Sequence, residues 1–217
     1  MKRIGQILVM LTAAAGIASG LEWKTWSVDV GAAWQYNGEI GNAADRKQPS
    51  KLMFNPGASF HADWDGRPGG LQFHPGFWLS WNIEDLQEGI ARPSGEEQID
   101  HMKVLGIMAD FPFGVIFTKG RLDIGVQGGP AVYLRIPMYT AQEGTADPAV
   151  FWKAYYGGME FLHLGLSSWV GFPVSDDMDF SGGLRIYQPV STLWTDAPII
   201  HGLQIGLFAS LGYSFSE

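Results

Sequence analysis

Residues 26–36 read WSVDVGAAWQY: Trp26, Val28, Val30, Ala32, Trp34 and Tyr36 alternate with Ser27, Asp29, Gly31, Ala33 and Gln35. Successive side chains of a strand point to opposite faces, so this spacing separates an aromatic-rich face from a small, polar one. The same period of two returns in residues 52–64, 71–83, 122–136 and 203–215. With the intervening turn signals it predicts about eight strands, near residues 23–36, 51–64, 71–83, 99–113, 121–136, 161–172, 179–188 and 201–215. Several reach the roughly nine to eleven residues that a tilted membrane-crossing strand requires.

The connections alternate in length. Long ones fall at residues 37–50, 84–98, 137–160 and 189–200, and short ones at 65–70, 114–120 and 173–178. This is the rhythm of an eight-stranded antiparallel up-and-down transmembrane β-barrel, with short periplasmic turns, long outer loops and both mature termini periplasmic. The third long loop predicts a short helix over the barrel mouth. Asp147 suits its N-cap and Pro148 its first position, and Val150, Phe151, Ala154 and Tyr155 are apolar at helical spacing. Pro56, Pro75 and Pro130 fall inside strands, where each lacks the ladder N–H; Asn55-Pro56-Gly57 and His74-Pro75-Gly76 read as bulges that bend the wall.

Alternation alone does not say which face meets water; the make-up of the polar face does. It carries Gly57, Gly76, Gly106, Gly125, Gly129, Gly165, Gly183, Gly206 and Gly212 with Ser59, Ser80, Asn82, Gln127 and Gln204, where a solvated face would carry Lys, Glu and Thr. Small residues suit the cramped inside of a narrow barrel. The apolar face sorts its aromatics by height, with Trp34, Tyr36, Phe54 and Trp81 toward one rim and Trp64, Phe111, Phe113, Phe172, Phe180, Tyr213 and Phe215 toward the other. Two aromatic girdles around an aliphatic band place that face against lipid.

The amino terminus fits this address. Lys2 and Arg3 precede an apolar run, and Ala18, Ser19 and Gly20 end it, so residues 1–20 read as a secretory signal and 21–217 as the barrel. The chain has no cysteine and a formal net charge of -8, which disfavours nucleic acid as a partner.

On these features, including the closing strand that ends Leu211-Gly212-Tyr213-Ser214-Phe215, the chain resembles the small eight-stranded outer-membrane barrels of the OmpW type, spirochaetal members included. The resemblance implies a narrow hydrophobic conduit or pocket for small apolar solutes, opening sideways to lipid. It also implies a terminal aromatic read by the barrel-assembly machinery, from which this chain departs by placing Ser216 and Glu217 after Phe215.

Parity sorts the inward residues into two zones. A lower polar plug is expected from Asp29, His61, Asp63, His74, Asp110, Arg121 and Asp123. An upper pocket is expected from Met53, Trp78, Met102, Val104, Tyr133, Phe161, Tyr187 and Phe208, with Arg135, His163 and Arg185 as its polar groups. His163 and Ser167 share a face, but Glu160, the local acid, lies on the other, so no hydrolase is read from them. The histidines lack a tight metal spacing, and no cofactor motif occurs. The expected outer loops carry Glu39, Asp45, Glu84, Asp85, Glu88, Glu96, Glu97, Asp100, Glu143 and Asp147, and expose Trp194. Two functions follow: a passive conduit for small hydrophobic solutes, or a non-conducting barrel whose loops bind a host or matrix protein as an adhesin or surface antigen.

Overall fold

The computed structural model describes residues 21–36, 51–64, 71–87, 90–94, 101–138, 148–195 and 199–215. The strands are β1 (Leu21–Gln35), β2 (Lys51–Trp64), β3 (Leu71–Phe73), β4 (Gly76–Gln87), β5 (Ile90–Ser94), β6 (His101–Asp110), β7 (Phe113–Lys119), β8 (Leu122–Met138), β9 (Leu162–Pro173), β10 (Met178–Pro189) and β11 (Gln204–Ser214), with one helix, α1 (Pro148–Tyr156). All pairings are antiparallel, and the sheet closes on itself through β1 and β11, in register from Thr25↔Ser214 to Gln35↔Gln204. The wall is an eight-stranded up-and-down barrel, because β3 with β4, and β6 with β7, are each one wall strand broken by a kink.

Those kinks explain how prolines fit a closed wall. Breaks at His74–Pro75 and Phe111–Pro112 lie side by side on adjacent strands, and the second faces Pro130 of the unbroken β8. The proline carbonyls stay in use: Phe60 N–H donates to Pro75 O (2.9 Å), His74 to Pro112 O (3.1 Å) and Phe111 to Pro130 O (3.0 Å). Each proline thus omits only the donor it lacks, at a place where the wall already bends.

Pro56 has a different consequence. Above it β2 pairs only with β1 among the described residues, because the β2–β4 ladder is limited to Gly57↔Trp78, Ala58↔Phe77 and Ser59↔Gly76. Higher on β4 that side is taken by β5, paired from Ile83↔Ser94 to Gln87↔Ile90. The resulting seam is bridged by side chains, with Asn55 Nδ2 donating to Leu79 O (3.3 Å) and Asn82 Nδ2 to Met53 Sδ (3.2 Å).

Several expected boundaries move, and β4 runs to Gln87 where its end was expected at residue 83. The wall strand expected to stop at residue 113 runs to Lys119, and the turn shrinks to a tight one at Gly120, whose φ of 66° suits glycine. Residues 90–94, expected in a long loop, form β5.

Facing follows the sequence parity. Trp26, Val28, Val30, Trp34, Leu52, Phe54, Phe77, Leu79, Trp81, Ile124, Val126, Leu164, Leu166, Val170 and Leu207 are exposed around the wall, while Ser27, Asp29, Gln35, Ser59, Ser80 and Asn82 are buried inside. The inward glycines make room for large rings on the same or neighbouring strands. A Cβ at Gly57 or Gly76 would strike Trp78, one at Gly106 Tyr133 and one at Gly125 Trp169, while one at Gly171 or Gly165 would press tightly on Trp169 or Tyr187. Close packing therefore requires glycine at these inward positions.

Candidate functional site

The lumen is filled in three layers. Nearest the short turns, Ser27 and Ser59 hydroxyls meet at 2.6 Å, Gln72 Nε2 donates to Asp63 Oδ1 (2.9 Å), and His61 Nε2 lies 3.3 Å from the same oxygen. His74 pairs its Nδ1 with Gln127 Oε1 (3.2 Å), beside the rings of His61 and Trp169. Of the expected polar plug, Asp29 and Asp110 sit higher, in the middle layer. Arg121 is exposed at the turn after Gly120, because the strand before it extends further than its sequence suggests. Asp123 accepts from Thr118 Oγ1 (2.7 Å).

The middle layer joins residues that parity had split between the zones. The Arg185 guanidinium lies between the rings of Trp78 and Phe208, 3.8 Å from each centroid, and its Nη2 is 3.8 Å from Asp29 Oδ2. Beside it Tyr187 Oη donates to Asp110 Oδ2 (2.7 Å), with Met108 completing the packing. Charges and aromatics mix here for a physical reason. A buried carboxylate needs a counter-charge, and Arg185 supplies one to Asp29 while stacking on two rings, although neither Asp29 oxygen has a hydrogen-bond partner among the described residues.

The upper layer begins with Ser80 and Tyr133 hydroxyls at 3.3 Å and Gln204 Nε2 donating to Gln35 Oε1 (3.3 Å). His163 meets Tyr133 edge to face, and its Nδ1 lies 3.5 Å from Phe161 O. Phe161 itself is half-buried at the rim against Tyr156. Above, the predicted helix caps the opening: Phe151 and Tyr155 of α1 are fully buried on Met102, Val104 and Ala91. Val150 is exposed, and Asp147 lies outside the described residues.

Arg135 connects lumen and cap. Its Nη1 is 3.7 Å from Glu84 Oε2 and 3.5 Å from Ala91 O, and its charge lies over the rings of Tyr155 (4.4 Å) and Tyr133 (5.5 Å). Burial, reinforced by the Glu84 charge, holds the Tyr155 hydroxyl above the usual phenol range. Burial also raises Glu160, at the foot of the helix, while Ser191 and Arg135 pull it back in part.

Glu84, expected among the outer-loop acids, is 0% exposed inside the barrel. It continues the inward series Trp78, Ser80, Asn82, a signal present in the sequence one residue beyond the expected strand end. Trp169 was missed among the inward residues because the aromatics as a class belong to the outer face; its parity with Ser167 would have found it. Asp85 lies in β4, and the remaining expected loop acids lie outside the described residues.

What space remains is divided. Voids along the lumen measure about 20 Å³ beside Arg185 and Tyr187, 20 Å³ beside Arg135 and His163, and 10 Å³ beside His74 and Asp110. These are the scale of one or two waters. A larger cavity of about 340 Å³ opens at the cap, lined by Ala91, Arg135, Val150, Lys153, Ala154, Gly157, Gly158 and Glu160. Among the described residues no group of His, Asp and Glu could hold a metal ion.

Among solved structures, Neisserial surface protein A (NspA) matches with a TM-score of 0.51 at 12% identity, covering 88% of this chain and 97% of that one. The fold is that of the small outer-membrane β-barrels. Ail, the attachment invasion locus protein of Yersinia pestis, matches with a TM-score of 0.42 at 10% identity over 89% of this chain and 100% of its own. Ail in complex with the heparin analogue sucrose octasulfate gives 0.39 at 9% identity, with the same coverages. No protein-family model and no curated protein matches the sequence. The likeness reaches the small outer-membrane barrels as a class and does not single out the OmpW type.

Proposed function

We propose that this chain is a bacterial outer-membrane surface barrel that does not conduct through its lumen and acts at its loop end by binding a host or matrix protein. The observation that carries this reading is the Arg185 clamp: a guanidinium wedged between Trp78 and Phe208 and facing Asp29, flanked among the described residues by voids of about 20 and 10 Å³. A solute passing along the axis would have to displace a buried ion pair and two rings. The loop end, by contrast, exposes apolar groups. Met159, Leu193, Trp194, Ile199 and Ile200 are exposed, and Trp194 is held by its Nε1 donating to Gly158 O (3.1 Å). Exposed apolar groups gathered at a barrel rim, anchored by a tryptophan, have the character of a protein-binding surface. In this reading residues 1–20 are removed on export, the barrel-assembly machinery inserts the chain, lipid surrounds the wall, and the termini face the periplasm.

The test is reconstitution in planar bilayers and liposomes, together with adhesion of cells displaying the barrel to immobilised matrix proteins. The expected result is conductance and apolar-solute uptake equal to empty membranes, with adhesion that Leu193→Ser with Trp194→Ala abolishes. Measurable uptake, or adhesion unchanged in that variant, overturns it.

One observation favours the conduit reading of the OmpW type. The β2–β4 seam offers a sideways path from the upper barrel to lipid that avoids the Arg185 clamp. Uptake that survives Arg185 in place and depends on Asn55 at the seam would identify that route.

A further inference from the structure

The cavity at the cap has a chemistry that neither packing nor the closed lumen requires. Arg135 is 7% exposed, yet its described contacts are long: Nη1 to Glu84 Oε2 at 3.7 Å and to Ala91 O at 3.5 Å. Its Nε is buried without a hydrogen-bond partner. A guanidinium carries five N–H donors in a planar fork, and a buried donor left unmet is costly. Such a group beside an open cavity is built for something that enters it.

The cavity's walls say what. Lys153 of α1 contributes a second cation, and Ala91, Val150 and Ala154 form an apolar side. Gly157 and Gly158 leave the floor without side chains, and a Cβ at either would meet nothing within 4 Å. Glu84 occupies the Nη1 side of Arg135, so the Nε side is the one without a partner. Glu160 is the other charged group on the wall, and burial raises its pKa, which lessens its repulsion of an anion. The volume of about 340 Å³ lies at the small end of ligand pockets, which run from about 300 to 1,000 Å³.

We infer that this cavity binds a small organic oxyanion, a carboxylate or phosphate monoester with an apolar body, whose head pairs with Arg135 and Lys153 and whose body lies against Val150 and Ala154. Arginine suits the head because its fork matches the two oxygens of a carboxylate or phosphate. The site is independent of the closed lumen, since it opens outside the Arg185 clamp.

The full chain, refolded into zwitterionic nanodiscs, is titrated with benzoate, phenyl phosphate, benzyl alcohol and benzylamine by calorimetry, with Trp152 fluorescence as a second readout on α1. Benzoate and phenyl phosphate are expected to bind at least about tenfold more tightly than benzyl alcohol, and benzylamine not at all. Lys153→Gln, on an exposed position that leaves the fold intact, and Arg135→Gln are each expected to weaken the anions about tenfold or more without changing the alcohol. Asp179→Asn, at the opposite end of the barrel, is the control and is expected to bind as wild type. Retained heat-modifiable gel migration establishes that each variant is folded. Equal affinity for benzoate and benzyl alcohol, or a folded Lys153→Gln that binds anions as wild type, overturns the proposal. A leaky barrel that still binds benzoate through Lys153 would refute the non-conducting reading and leave this one standing.

Discussion

Replacing Arg185 with methionine should weaken the barrel more than any other single change in the lumen. The substitution keeps most of the aliphatic stem but leaves Asp29, 1% exposed and 3.8 Å from the lost Nη2, without its counter-charge. Breaking a buried ion pair from one side costs about 3–5 kcal/mol. The stacking on Trp78 and Phe208, each centroid 3.8 Å away, adds about 1–2 kcal/mol per desolvated ring that methionine recovers only in part. With an m-value of about 2–3 kcal/mol/M, the urea midpoint of the protein in lipid vesicles should fall by about 1–2 M. The companion Asp29→Leu with Arg185→Met removes both charges and should return to within about 2 kcal/mol of wild type, because an apolar replacement of a whole buried pair is often neutral. The same variants report on conduction: Arg185→Ala, which empties the space between the rings, should produce openings in planar bilayers that the double Leu/Met variant does not. An Arg185→Met midpoint equal to wild type, or a double variant as unstable as the single, would refute the clamp as the element that closes the lumen.

Gly125→Val should force the Trp169 indole out of its site, at an overpacking cost of about 1–3 kcal/mol, and Gly125→Val with Trp169→Leu should regain most of it; unfolding midpoints decide. The seam predicts uneven hydrogen exchange in β2: alternate amides of residues 51–55 that point away from β1 should exchange faster than those bonded to it, and Asn55→Ala should speed them further, whereas uniform protection would mean the wall is sealed there. Glu160 predicts a pH dependence for the cap. Its folded-state pKa is raised, so the docked helix is firmest in acid and loosens as pH rises from about 4 through that raised value. Amide exchange of residues 148–160 should accelerate over that range and flatten in Glu160→Gln; protection that increases with pH would contradict the sign.

The alternation in residues 26–36 was enough to set the architecture because a barrel wall imposes period two wherever one face is lipid and the other a crowded lumen. What the sequence left hidden depends on register and on breaks in it. Nothing local pairs Gly125 with Trp169 or Gly106 with Tyr133; those partners sit on different strands, and a slip of one residue would separate them. The turn-like run Gly114 to Gly120 hid β7, although Val115 and Phe117 keep the outward parity. Pro93 made β5 look like loop, yet it hangs at an edge of the sheet, where a missing donor is tolerated. The candidate site was half legible: parity found Trp78, Arg135, Arg185 and Tyr187, and lost Glu84 by ending at residue 83 a strand that runs to Gln87.

A barrel this narrow leaves its interior little to do but pack, since eight strands enclose a space about as wide as side chains need. On the proposed reading function lies at the end with long connections, and there the value of the cap is order. Phe151 and Tyr155 anchor α1 on Met102 and Val104, Tyr156 Oη donates to Arg135 O (3.1 Å), and Trp194 ties the last loop to Gly158. Groups already fixed lose less entropy when a partner arrives, so Leu193, Trp194 and the cavity beside Lys153 need not be ordered by the ligand that meets them. On the proposed reading the filled lumen and the capped mouth are two parts of one arrangement, in which the wall's interior supplies the rigid base for a surface site.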